Sequence, residues 1–365
     1  TNMANEVDIN ETDLLFRYDD GWQTLLRDHS RFDHLREQYR RAGKDPKEVE
    51  GHEDECHIIW ATNNYEPIGE GFKYHDQITL EHITGDYSMM IRPRVSKTLS
   101  EQTQRIKDMA EVFTPSWICN AQNNLVDEAW FGRPNVFNTE YIDEKGEHLW
   151  TPTEGKIQFD NNNPDHNWQA YIKDIRMEMT CGEAPYLVSR YDTVSGKHIP
   201  VSHRIGILDR KLRVISENVE DKDNWIKHAK IALKATYGFE WQGDNLLLAR
   251  EAVFYSVIDF YKEKFGEEPP KRALRTMAYI ISWNLWQMDG LKMVIPETCH
   301  EDVIFTPSLF DRNDRTISPC HGCKSGDHRL HNGIKCRIRD WNYTGKVWDK
   351  ARPYFYTLLN NNTKL

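Results

Sequence analysis

Cys320-His-Gly-Cys323 places two thiols two residues apart, and His328, His331 and Cys336 follow within a short, turn-rich stretch. Thiolates and an imidazole at this spacing suit a soft divalent ion held tetrahedrally, and zinc is the usual occupant. The spacing predicts a Cys3His site of Cys320, Cys323, His331 and Cys336. His331 is preferred over His328 because His331 and Cys336 can form a second knuckle around Gly333. Four protein ligands leave no open position, so the expected role is structural. The alternative is a surface loop with free thiols. Cys299-His300 is read as incidental.

A second group of residues suits a nucleotide-like ligand with a cationic end. Ile175 to Met179 alternates as a strand, and Glu178-Met-Thr-Cys-Gly-Glu-Ala-Pro-Tyr-Leu187 carries it into a small-residue turn. Gly182 and Ala184 add almost no bulk, so the backbone can approach a ligand closely. Glu178 can pair with a positive group. Tyr237-Gly-Phe-Glu240 reads as another short strand, and an acid at its end can accept both hydroxyls of a ribose. Asp289, before Gly290, could accept an adenine amine, with Trp286 or Met288 on the ring face. Phe113, Thr114 and Pro115 could wall one side of the pocket. Each segment has a plain structural alternative: a tight turn, a helix-starting acid, a turn aspartate and a helix connection.

The elements that must position these residues follow from periodicity and punctuation. Thr12-Asp13 starts a helical pattern that runs on to Leu26, and Phe32 to Arg41 predicts a further helix. Ile58-Ile59-Trp60 predicts a short buried strand. Ser100 to Val112 favours helix and stops at Pro115, after which Trp117 to Leu125 resumes helical spacing. Ile205 to Ile215 suits a strand or a helix. Helices are expected at Trp225 to Ala235, Asn245 to Lys264 and Ala273 to Trp283, the second of them amphipathic. Such alternation predicts an α/β sheet covered by helices.

Taken together, Phe113-Thr-Pro115, the Glu178–Leu187 loop, Tyr237-Gly-Phe-Glu240 with Ala249-Arg250, and Asp289 resemble the bacterial N6-adenine DNA methyltransferases of the restriction-modification subunit M type. The resemblance covers about residues 105–300. It implies a Rossmann-like methyltransferase sheet that binds S-adenosylmethionine through Phe113, Thr114, Pro115, Glu178, Cys181, Gly182, Tyr186, Glu240 and Asp289. It also implies DNA as partner and methyl transfer to an extruded adenine. Two departures stand in the sequence. Ala184-Pro185 replaces a glycine of the family loop, and an insertion is expected at about 193–224. The family's Asn/Asp-Pro-Pro-Tyr/Phe motif is not visible, because the one Pro-Pro pair is Pro269-Pro270. No catalytic residue is therefore assigned. The chain is expected to be a truncated or split enzyme. The alternative is a catalytically incomplete cofactor- and DNA-binding subunit, with a second subunit supplying catalysis or target recognition.

The expected organisation is a mixed, mainly helical region at 1–95 and a helical segment at 96–172. A cofactor-binding α/β core at 173–300, a zinc module at 301–345 and a tail at 346–365 complete it. Net charge is −10, where a dedicated nucleic-acid binder is more often basic. Basic residues nonetheless cluster at Arg31 to Lys47 and at His321 to Arg352, and either run could meet phosphate. Seven cysteines without a signal peptide argue for reduced thiols and a cytoplasmic location. No apolar run is long enough to cross a bilayer.

Overall fold

The computed structural model describes residues 17–88, 90–97, 102, 103, 105, 106, 114–160, 162–305 and 315–361. Among these the chain is mixed α/β with a small parallel sheet. Helix α1 (His29–Arg41) begins where the Asp28 carboxylate accepts the Ser30 and Arg31 amides at 2.9 and 3.1 Å. Helix α2 (Ser116–Phe131) follows Pro115 and ends at Gly132, whose φ of 68° closes the last turn. Strands β1 (Asn138–Ile142) and β2 (His148–Pro152) form an antiparallel hairpin. Then come α3 (Trp168–Lys173), β3 (Arg176–Met179), α4 (Ile207–Asn218), α5 (Lys222–Lys234) and β4 (Thr236–Glu240). Helices α6 (Gly243–Phe265) and α7 (Lys271–Asn284) lead into β5 (Leu285–Gln287). A second antiparallel hairpin pairs β6 (Asp302–Phe305) with β7 (Arg315–Ser318), and the short helices α8 (His321–Ser325) and α9 (Trp348–Ala351) follow. Strands β3, β4 and β5 lie in that order in one sheet.

The chain forms two compact units whose segments interleave. The first takes the described residues of Thr1–Leu26, Ile78–Gly238 and Asp244–Leu285, and the second those of Arg27–Gln77, Phe239–Gly243 and Trp286–Leu365. The units thus cross the boundaries expected near residues 95 and 300. The 301–345 stretch belongs to a larger body that includes α1.

In the first unit α6 is a central helix. The expected amphipathic pattern gives way to burial on nearly every side from Gly243 to Tyr261, with Arg250 1 % exposed and Glu251 fully buried. A helix enclosed all round needs partners for its polar groups. The Arg250 guanidinium donates to the carbonyls of Leu285 at 2.7 and 2.9 Å, Ser282 at 3.0 Å, and Leu25. A second buried network joins Asp127 to Arg210 at 2.5 Å, Arg176 at 2.7 Å and the Tyr171 hydroxyl at 2.9 Å. The part of the expected insertion at 207–218 is α4, which packs on α5 as part of this core. Pro269-Pro270 serves as the lead-in to α7, with Pro270 at its N-cap.

In the second unit the Ile58–Trp60 segment is fully buried, yet it makes only an isolated bridge, Ile59 to Gln77, where a strand was expected. A side chain replaces the missing neighbour: Gln287 accepts the Ile59 amide and donates to its carbonyl, both at 2.9 Å. Trp60 packs on Tyr65 and Phe72, and Trp286 packs on Phe239 and Phe355. The two basic runs meet here and largely neutralise themselves. Arg337 pairs with Glu37, Arg352 pairs with Asp33 at 2.7 Å, and Trp348 is held between the Arg36 and Arg352 guanidiniums. Lys324, Lys346 and Lys350 remain exposed. At the other end of the chain, Asp19–Leu26 forms 3-10 turns rather than α-helix. Thr12 to Phe16 and most of Ser100 to Val112 lie outside the described residues. No helix among the described residues is long and apolar enough to cross a membrane.

Candidate metal centre and the Glu178–Leu187 loop

In the second unit, the β6–β7 hairpin pairs Asp302 with Ser318 and so returns the chain to the segment before it. Cys299 on one side and Cys320 on the other are thereby brought together. Helix α8 begins at Cys320, whose sulfur accepts the Cys323 amide at 3.3 Å. Gly322 lets His331 approach, since a Cβ there would stand 2.6 Å from the imidazole Cγ and 2.7 Å from the His331 Cα. Gly333 does the same for Cys299, whose Sγ would lie 3.0 Å from a Cβ at that position.

The result is a four-donor cluster. The Sγ atoms of Cys299, Cys320 and Cys323 lie 3.5, 3.6 and 3.7 Å from His331 Nδ1, and all four donor atoms lie within 4.8 Å of one another. Metal–sulfur bonds of about 2.3 Å and a metal–nitrogen bond of about 2.0–2.1 Å at the tetrahedral angle place sulfur and nitrogen about 3.6 Å apart. The observed separations match that edge. The donor set fits a soft divalent ion such as zinc, and the ligating nitrogen would be Nδ1, leaving the imidazole proton on Nε2.

Three of the four ligands match the sequence reading, and the fourth corrects it. Cys336 is not in the cluster: it is fully buried, and its thiol donates to the Gln287 carbonyl at 3.4 Å. Its place is taken by Cys299, which sequence reading had set aside as incidental. The knuckle around Gly333 does exist, but it presents His331 to Cys299. His328 is likewise outside the cluster, its ring 6.3 Å from that of His331.

The thiols are electrostatically unequal. Burial pushes the Cys320 thiol up, but the amides of Asn332 and Cys323 and the side chains of Cys323 and His331 outweigh it and bring it down to about 6. Burial pushes Cys299 up to about 12, against the pull of the Gly333 amide.

In the first unit, Thr180, Gly182 and Ala184 all take left-handed backbone angles, with φ of 51°, 53° and 62°. The Ala184 amide closes the turn on the Cys181 carbonyl at 2.7 Å. Cys181 is buried against Gly238, where a Cβ would stand 3.2 Å from its sulfur. Helix α4 grips the loop: the Ile207 and Leu208 amides donate to the Tyr186 and Leu187 carbonyls, both at 2.8 Å.

The loop and the Thr114-Pro115 turn come together. The Asn123 side chain on α2 donates to the Tyr186 carbonyl at 3.0 Å, the Cys119 thiol donates to the Thr114 carbonyl at 3.6 Å, and Thr193 Oγ1 donates to the same carbonyl at 2.9 Å. Burial, followed by the nearby Glu178 and Asp192 carboxylates, raises the Cys119 thiol. Thr114, Pro115, Glu178, Cys181, Gly182 and Tyr186 therefore belong to one neighbourhood. Phe113 lies outside the described residues.

Glu240 and Asp289 belong to the second unit. Glu240 ends β4, is 7 % exposed, and accepts the Gln242 amide at 3.3 Å. Asp289 forms the turn that its alternative reading describes: Oδ1 accepts the Leu291 and Lys292 amides at 2.9 and 3.0 Å, and Lys292 Nζ lies 3.5 Å from Oδ2. Cys119 and Asn123 were missed by sequence reading. Asn123 donates to the carbonyls of Tyr186 and Ile205, both at 3.0 Å. Their helical spacing after Pro115 was the available signal. Compared with protein-family models, curated proteins and solved structures, the chain finds no match in any of the three.

Proposed function

We propose that the chain is an S-adenosylmethionine-dependent DNA adenine-N6 methyltransferase of the restriction-modification subunit M type, with a structural zinc ion in the second unit. The observation that carries this reading is that α2, which follows the Thr114-Pro115 turn, holds the end of the left-handed Thr180–Ala184 loop through the Asn123 side chain on the Tyr186 carbonyl. The two sequence segments that resemble a cofactor wall and a cofactor loop are neighbours in the fold. In this reading β3, β4 and β5 are the centre of a Rossmann-like sheet. Glu178 takes the cationic end of the cofactor. The bound cofactor would supply the methyl group, and the chain would supply position and exclusion of water. Zinc would tie Cys299 to the Cys320–His331 segment and present the exposed Lys324 and Lys346 to DNA phosphate.

A second reading, a cofactor- and DNA-binding subunit that does not catalyse alone, is favoured by one observation. Pro269-Pro270 leads into a helix and has no aromatic residue beside it to stack on an extruded base. One experiment separates the readings: calorimetric titration of S-adenosylmethionine into wild type and Glu178→Ala, followed by a methyl-transfer assay on DNA. Binding that Glu178→Ala weakens about tenfold or more, which is about 1.4 kcal/mol, supports the cofactor site. Transfer supports the enzyme, and binding without transfer supports the subunit. No binding at millimolar cofactor overturns both.

A further inference from the structure

The first unit contains an open groove of about 800 Å³ between the β1–β2 hairpin, the start of α2 and the Asp192–His203 segment. Its wall includes a ring pair: Trp117 and His148 stack at 3.9 Å between centroids with their planes 12° apart. Trp117 stays 37 % exposed, because α2 buries its other face through Cys119, Asn120, Asn123 and Asp127. Trp150 adds a third ring, and Lys197, His198 and His203 stand exposed in the lining. Of the two acids in the lining, Asp192 is consumed locally. It accepts the amides of Ser116 at 2.8 Å, Val194 at 3.1 Å and Ser195 at 2.6 Å, and the Ser195 hydroxyl at 2.8 Å. The other, Glu147, is exposed to solvent.

We propose that this groove binds single-stranded nucleic acid, with a base stacking on the Trp117–His148 pair and the adjoining phosphates met by Lys197, His198 and His203. An exposed, preformed ring stack flanked by a lysine and two imidazoles that can donate to phosphate is what an unpaired nucleotide needs, because every base offers a π-face and every linkage a negative charge. A proline-rich peptide is the other ligand class for an aromatic groove. It is disfavoured here because one of the two indole N–H groups lining the groove, that of Trp150, already donates to the His203 carbonyl at 2.8 Å. The inference goes beyond methyl transfer and does not need it, since binding is read without cofactor.

The test is fluorescence titration of the full chain with a short oligodeoxyadenylate, with an abasic oligomer of the same length, and with a proline-rich peptide. Oligodeoxyadenylate is expected to quench tryptophan emission and bind, and the abasic oligomer to bind about tenfold more weakly, as loss of a stacking contact implies. Trp117→Ala is expected to remove that discrimination at an unchanged melting temperature. Lys197→Ala is expected to lower the salt dependence of binding while the discrimination between the two oligomers persists. Equal binding of the abasic oligomer to wild type, full discrimination in Trp117→Ala, or competition by the peptide alone would overturn the proposal. Base binding by a chain that takes no S-adenosylmethionine would uphold the groove and sink the methyltransferase. Cofactor binding without base discrimination would do the reverse.

Discussion

Cys299 Sγ lies 3.5 Å from His331 Nδ1, and the chain between them supplies the other two donors of the cluster. The β6–β7 hairpin makes this closure, since Asp302 opposite Ser318 fixes where Cys299 meets Cys320. A metal there would cross-link both flanks of the hairpin to the His331 knuckle. Metal content should follow this geometry. Wild type is expected to carry one zinc ion per chain, Cys299→Ala almost none, and Cys336→Ser the full amount. Elemental analysis of the purified, untreated proteins reads this directly. A strong chelator should lower the melting temperature of wild type by several degrees and leave that of Cys299→Ala where it is, because a bound ion stabilises the state that binds it. Full zinc in Cys299→Ala would end the four-ligand assignment.

Cys320, Cys323 and His331 were legible because a C-x-x-C pair and a nearby histidine announce themselves by spacing. Cys299 was not, because the β6–β7 hairpin separates it from its partners and only the strand register brings it back. Cys336 fitted the local spacing but was claimed by the core, where its thiol meets the Gln287 carbonyl. The same contrast holds for the fold. Strand β4 and helices α5 to α7 followed from periodicity. Burial of α6 on every side did not, because Arg250 and Glu251 read as a polar face until backbone carbonyls are placed around the guanidinium. The Ile58–Trp60 strand failed for a related reason: Gln287 supplies the hydrogen bonds of Ile59 from far along the chain.

Glycines around the cluster separate packing from backbone strain. At Gly322 a Cβ would collide with the His331 backbone and ring, whereas at Gly326 the space is open but φ is +73°. Gly326→Ala should cost about 1 kcal/mol, the ordinary penalty for a left-handed alanine. Gly322→Ala should cost more and also weaken metal retention, since His331 must shift to make room. Urea unfolding with a competing zinc chelator checks both. Equal metal affinity in the two variants would show that His331 tolerates the shift.

The cofactor loop carries its own strain. Thr180 is exposed and β-branched at φ 51°, whereas Ala184 is fully buried at φ 62°. Thr180→Gly releases a left-handed β-branched residue and loses no buried surface, so it should stabilise the chain by about 1 kcal/mol. Ala184→Gly gains a similar relief but gives up a buried methyl worth about 0.8 kcal/mol, so its melting temperature should stay close to wild type. Differential scanning calorimetry distinguishes them. Destabilisation by Thr180→Gly would mean that its hydroxyl, which donates to the Met179 carbonyl at 2.7 Å, matters more than the strain.

Lys211 gives the fold a pH signature. Its side chain is fully buried, and the amine donates to the carbonyls of Asp174 at 2.6 Å and Ala235 at 3.0 Å. Burial, reinforced by the nearby Arg176, brings its pKa from 10.5 down to about 7, against Asp174 and Asp127. The unfolded chain keeps that proton to the higher value. Between about 7 and 10.5 the unfolded state therefore binds more protons, and this group makes stability rise with pH. Below that window both states are protonated, and the folded state carries its full penalty for a buried charge. Lys211→Met removes the titration and keeps the volume. The unfolding free energy of wild type minus that of Lys211→Met, measured in urea at fixed ionic strength, should climb as pH goes from neutral towards 9.5. Groups common to both proteins cancel in the difference. Parallel curves would show that the two carbonyls hold the ammonium charged throughout, and that burial does not govern this amine.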